Sequence, residues 1–152
     1  MCLCYLAGAI DMVDKDMMMN WKEMVSLDLK QYGISIIDPA GTFNMHTYDK
    51  VSIEAIEDAK KLREINYYNM MHSDVVLMRF GKEPSIGTPI ELEMLTKYDN
   101  TEFKNKPIII WLDGIKKIPF YILSVADRVK ITNTLEDAID TIVAYHEDRY
   151  NK

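Results

Sequence analysis

Several things are scarce in this sequence, and each shortage narrows its class. Only 2 of its 152 residues are cysteine, Cys2 and Cys4. That is too few for a disulfide framework, and two thiols alone do not complete a zinc site. One residue apart on a strand, they turn to the same face and read as reduced core side chains of a cytoplasmic protein. Histidine is rare, with 3 in the chain; His46, His72 and His146 are scattered and build no triad or metal cluster. No apolar run approaches the roughly 20 residues of a membrane-spanning helix. The opening MCLCYLAGAID is apolar, but it lacks a basic start and soon meets Asp11. No signal peptide is expected. Basic charge is in deficit as well: 18 Lys and Arg against 24 Asp and Glu give a net charge of −6. Binding to a nucleic-acid polymer, which needs basic surface to neutralise phosphates, is therefore not expected. A small phosphorylated ligand stays open, because a few backbone N–H groups can hold one phosphate.

What the sequence does have is apolar residues at 48% against 28% charged, the balance of a soluble globular chain. Its length suits a single domain over residues 1–152. Apolar runs suited to strands alternate with helical patterns, the mark of an α/β domain with a largely parallel sheet. Strands are predicted at Cys2–Ala7, Ile34–Ile37, Asp74–Arg79 and Ile108–Leu112, with a small one around Val129–Ile131. A first helix is predicted over Lys15–Gln31, with Met18, Trp21, Val25 and Leu29 on one stripe, stopped by Gly33. A second runs from Ser52 to Met71, with Ala55, Ala59, Leu62, Ile65 and Asn66 on one side. Further helices are predicted over Pro89–Tyr98 and near Phe120–Ala126. The last helix carries Leu135, Ala138, Ile139, Ile142 and Val143 on one stripe. Five strands with interleaved helices predict a flavodoxin-like, doubly wound five-stranded parallel sheet. In such folds ligands bind beyond the carboxyl ends of the strands. Gly8–Asp11, Asp38–Thr42 and Gly81–Thr88 would converge there.

The most informative stretch is Pro84-Ser-Ile-Gly-Thr-Pro-Ile-Glu-Leu-Glu93. Thr88 stands where an N-cap belongs, Pro89 at the first helical position and Glu91 at the third, the pattern of a capping box. Glu91 then has two open readings. Either it reaches back to the Thr88 N–H, or it projects into the crevice as a carboxylate kept ionised by the helix dipole and able to attack an electrophilic carbon. Gly8 ends the first strand, where it permits a tight turn or a close backbone approach to a ligand. There is no G-x-G-x-x-G dinucleotide fingerprint. Asp11 caps a helix or accepts hydrogen bonds from a base or sugar. Tyr5 reads as core, and Asn66, on an apolar helix side, is a structural bridge or a ligand contact. Asp74 is expected to hold loop N–H groups, and Lys60 with Lys61 to be a solvated face.

Four segments in order then carry a resemblance: Tyr5-Leu-Ala-Gly-Ala-Ile-Asp11, Ile37-Asp-Pro-Ala40, Asn66 ahead of Ser73-Asp-Val-Val76, and Ser85-Ile-Gly-Thr-Pro-Ile-Glu-Leu92. Over residues 4–95 the chain resembles the nucleoside 2-deoxyribosyltransferase family, including short phage-encoded members, and the related deoxynucleoside 5′-monophosphate N-glycosidases. The resemblance implies homo-oligomers with sites near subunit interfaces and no metal or organic cofactor. It also implies double displacement at an anomeric carbon. Glu91 matches the nucleophile, Tyr5 the residue that positions it, and Asn66 a position that engages the base and is often Asp. Gly8, Ile10, Asp11, Asp38, Ser85 and Gly87 would line the substrate site. The implied partners are a deoxynucleoside or deoxynucleotide and a free nucleobase. Two departures pull in opposite directions. Ser85 matches the monophosphate hydrolases, where a Ser helps hold the phosphate, whereas Asp11 stands where those hydrolases carry an Arg. Transfer between bases is the leading expectation and hydrolysis of monophosphates the alternative. A non-catalytic nucleotide-binding module on the same fold is the rival from outside enzymology.

Overall fold

The computed structural model describes residues 1–9, 15–39, 50–97, 103 and 105–151, with backbone alone at 15, 17 and 18. Among the described residues ten elements alternate along the chain: β1 Cys2–Ala7, α1 Lys15–Lys30, β2 Ile34–Ile37, α2 Ile53–His72, β3 Val75–Phe80, α3 Gly87–Thr96, β4 Ile108–Leu112, α4 Phe120–Leu123, β5 Lys130–Thr132 and α5 Leu135–Tyr150. The strands form one sheet in the order β2-β1-β3-β4-β5, and every pairing is parallel. This is the flavodoxin-like arrangement expected from the sequence.

The strands are runs of Val, Ile, Leu and Met because both faces of the sheet are covered. On one face α1 and α5 pack Trp21, Val25, Leu29, Ala138, Ile139 and Ile142 over Cys4, Leu6 and Ile109. On the other, α2, α3 and α4 bring Met70, Leu92, Leu95 and Ile122 onto Tyr5, Val76 and Ile110. Both cysteines are free and buried, and burial raises their thiol pKa values. Neither is an activated nucleophile. Gly33 adopts φ +73° at the end of α1, the left-handed conformation that closes a helix most cheaply with glycine.

Chain order puts β1 in the middle of events. From it the chain moves outward to β2 through α1, then crosses back through α2 on the opposite face to β3. The carboxyl end of β1 is thus the point where helices on both faces begin to diverge, and it opens the crevice.

Three expectations need correction here. Helix α3 starts at Gly87, not at Pro89. On α2, Ala59 is exposed, as is Ile65, because only the last turns of this helix lie on the sheet, where Met70 is buried. Asp74 precedes β3 and holds a strand N–H, that of Leu3 at 2.8 Å, instead of loop groups.

Candidate active site

The crevice is built on β1. Tyr5 and Ala7 point to the α2–α3 face, while Leu6 points to the α1 face. Tyr5 pairs with Ile37 on one side and Val76 on the other, so Asp38, one residue past Ile37, emerges beside it. Gly8 follows directly. A Cβ there would lie 2.8 Å from Trp21 Cζ2, so the glycine lets the indole of α1 close against the strand end. Packing alone accounts for it. At Gly87 a Cβ would meet only Glu91 Oε1 at 3.9 Å, an ordinary contact. Ile10 and Asp11, expected to contact substrate, lie outside the described residues, as do His46 and most of the Asp38–Thr42 loop.

The start of α3 decides between the two readings of Glu91. The N-cap position falls on Ile86, which offers no side-chain cap. Ser85 supplies it instead: its Oγ accepts the Thr88 N–H at 3.3 Å and donates to Thr88 Oγ1 at 3.0 Å. The capping register is three residues earlier than the sequence pattern suggests. Glu91 therefore stands at the fifth helical position, beyond a first turn that holds no acidic residue, and is too far along to serve as a capping group. It is also beyond the strongest reach of the helix dipole, which fades within the first turn. The capping-box reading is overturned, and so is the idea that the dipole keeps this carboxylate ionised.

Glu91 instead lies beside Tyr5. Burial pushes its pKa up to about 7, against the opposing pull of the Tyr5 hydroxyl and the Lys22 charge. The Tyr5 phenol is raised in turn, by burial and then by the neighbouring Glu91 and Asp38 charges, so it stays a hydrogen-bond donor. The two groups lie against each other, yet neither Tyr5 Oη nor Glu91 Oε2 has a partner at hydrogen-bonding geometry. Asn66, on α2, also has a buried Oδ1 without a partner among the described residues. Buried polar atoms without partners are uncommon and costly in a folded chain. Among the described residues the buried side-chain atoms left so are those of Tyr5, Asn66 and Glu91, plus His146 Nδ1 at the far edge of the sheet. Three of the four belong to residues singled out from the sequence.

Lys22 is the residue that sequence reasoning missed. It sits on α1 between Trp21 and Val25, is 1% exposed, and forms an ion pair with Asp38. Its ammonium lies 5.7 Å from the Trp21 ring centroid. The signal was available: Lys22, Val25 and Leu29 share the i, i+3, i+7 stripe, and a lysine on an apolar stripe needs a partner. Next to the crevice, Arg79 at the end of β3 ties down the following loop. It pairs with Glu83 and donates through Nε and Nη2 to Asp113 Oδ2 at 2.9 and 2.7 Å. The loop that carries Ser85 is thus braced against the end of β4. Among the described residues no group of His, Cys, Asp and Glu is arranged to hold a metal ion.

No family model matches the chain, and no curated protein matches it in sequence. Its fold is found in solved structures. A 2-deoxyribosyltransferase from Bacillus psychrosaccharolyticus superposes with a TM-score of 0.61 at 15% identity, over 90% of this chain and 89% of that one. The CMP N-glycosidase of Clostridium botulinum superposes with a TM-score of 0.55 at 17% identity, over 94% and 98%. The flavoenzyme NAD(P)H:(acceptor) oxidoreductase of Paracoccus denitrificans also matches, at 0.51 and 12% identity, over 91% and 79%. One architecture thus spans glycosidic and redox enzymes. The side chains in the crevice have to choose between them.

Proposed function

We propose that this protein is an N-deoxyribosyl transferase of the nucleoside 2-deoxyribosyltransferase family, acting on 2′-deoxynucleosides with Glu91 as nucleophile. The observation that supports the reading is the buried, unpartnered Glu91 Oε2 beside the equally unpartnered Tyr5 Oη, with Asn66 Oδ1 in the same condition on α2. A carboxylate desolvated in this way is a stronger nucleophile than a hydrated one, and its neighbours are poised for a ligand that supplies the missing hydrogen bonds.

In the first step a Glu91 oxygen attacks C1′ as the bond to the base nitrogen breaks, and the electron pair leaves with the base. The transition state is oxocarbenium-like, and the product is a deoxyribosyl ester of Glu91, parallel to the first half of a retaining glycosidase reaction. Tyr5 fixes which Glu91 oxygen attacks. Asn66 orients the departing base by hydrogen bonding, but an amide cannot protonate it. A second base then attacks C1′ and regenerates the carboxylate. Asp38, Ser85, Gly8 and Gly87 border the space the nucleoside would occupy, and Ile10 and Asp11 belong to the same expected set. No cofactor enters the scheme. A homo-oligomer and a cytoplasmic setting go with this reading.

Hydrolysis of deoxynucleoside 5′-monophosphates is the second reading. Ser85 would then bind phosphate, yet its hydroxyl proton is committed to Thr88 Oγ1. A phosphate would have to take that bond away, whereas a nucleoside need not. The test is chromatography of reactions with thymidine, deoxyadenosine and their monophosphates, each with and without an acceptor base. A new deoxynucleoside formed only with acceptor is the expected result. Free base released from monophosphates alone would assign the hydrolase, and binding without turnover would assign a nucleotide-binding module.

A further inference from the structure

Lys22 stands outside every step written so far, although it is among the most deeply buried large side chains in the protein. A buried ammonium is costly unless charge and hydrogen bonds compensate it. One compensating group is Asp38, half-buried and directly paired with it. The pair occupies a particular place. Lys22 comes from α1, on one face of the sheet, while Glu91 comes from α3, on the other. Asp38 emerges from β2 beside Tyr5. The Trp21 ring, which Gly8 admits against the strand end, walls the ammonium from solvent. Lys22 and Asp38 thus pair beside β1 and β2 in a poorly screened place, where one unit charge is felt strongly by another.

We propose that Lys22 is a positioning residue of the active site, which stabilises the negative charge of Glu91 while Asp38 anchors its ammonium. The inference rests on the reading of Glu91 as the working carboxylate and adds the source of its charge stabilisation. Burial alone would protonate Glu91 and remove the nucleophile. The groups that act on it, among the described residues, are Tyr5 from β1 and Lys22 from α1, and Asp38 from the end of β2 acts in turn on Tyr5. Lys22 is the cation among them. Its pull on Glu91 opposes burial, and Asp38 tempers that pull by sharing the ammonium.

Two substitutions should then move Glu91 in opposite directions. Lys22→Met keeps the length and apolar stem but removes the charge, so Glu91 should titrate about one pH unit higher. Asp38→Asn removes the carboxylate that shares the ammonium, so the pull of Lys22 on Glu91 grows and Glu91 should titrate lower. Lys22→Arg keeps the charge and should stay close to the wild type. The measurement is NMR titration of glutamate side-chain carboxyl carbons in each folded variant, with Glu91 assigned by its loss in Glu91→Gln. The acid limb of kcat/KM should move with it. A Glu91 titration unmoved, or lowered, in Lys22→Met would overturn the proposal, as would a rise in Asp38→Asn. Because the titration needs no turnover, the coupling can hold even if the deoxyribosyl chemistry fails, and the two failures stay distinguishable.

Discussion

Two carboxylates at opposite edges of the sheet, Asp74 and Glu91, are treated in opposite ways. At the amino-terminal edge, Asp74 is fully used: Oδ2 accepts the Leu3 N–H at 2.8 Å and Oδ1 pairs with Arg149. Around it Lys106 Nζ donates to the carbonyls of Met71 and Ser73, and the terminal ammonium of Met1 reaches Tyr150 Oη at 3.1 Å. At the carboxyl-terminal edge, Glu91 keeps a buried oxygen without a partner, beside Tyr5 whose hydroxyl is in the same condition. The first edge closes the fold with its carboxylate; the second leaves one bare, at a cost in stability. His146 Nδ1 is the exception at the closed edge. Its ring packs on that of Tyr150, with centroids 4.6 Å apart.

That contrast can be broken from either side. The largest effect belongs to Glu91→Gln, which should lower kcat by about a thousandfold or more while the fold persists, since an amide cannot act as the nucleophile. Steady-state kinetics with circular dichroism would check it.

The same substitution should also change how stability depends on pH. The folded pKa of Glu91 lies above its unfolded value, so its favourable contribution is complete below about pH 4.5 and is lost as pH rises through about 7. Wild type should therefore lose on the order of 3 kcal/mol between pH 4.5 and 8 that Glu91→Gln does not lose. Denaturant melts of both proteins at the two pH values measure that difference. Asp74→Ala, at the closed edge, should cost about 2 kcal/mol, mainly through the stranded Leu3 N–H. Activity per folded molecule should not change. Asn66→Ala should lower kcat/KM by roughly tenfold, the worth of one buried hydrogen bond made to the ligand, with little loss of stability because its Oδ1 supports nothing in the free protein.

Much of the framework was legible because apolar strand runs and helical stripes are strong local signals. The limits of Cys2–Ala7, Ile34–Ile37 and Ile108–Leu112 coincide with the sequence reading, each being an apolar run ended by a polar, Gly or Pro residue. The start of α3 was misjudged for a definite reason. Ser85 and Thr88 are both competent caps, and Thr-Pro mimics a helix start so well that the earlier Ser85 register is hidden. What separates them is the Ser85–Thr88 hydroxyl contact, which sequence spacing does not reveal. Tyr5, Asn66 and Glu91 were legible as a set only through resemblance, because they come from three separate elements. Lys22 escaped because its partner Asp38 is contributed by a different strand, and only the folded chain joins them.

The central claim is that Glu91 becomes covalently loaded. Acid-quenched mixtures of the protein with a 2′-deoxynucleoside, read by intact mass and peptide mapping, test this most directly. The account predicts one deoxyribosyl group on the peptide containing Glu91, absent in Glu91→Gln and discharged by added free base. Turnover with unmodified protein throughout, or an adduct on another residue, would contradict it.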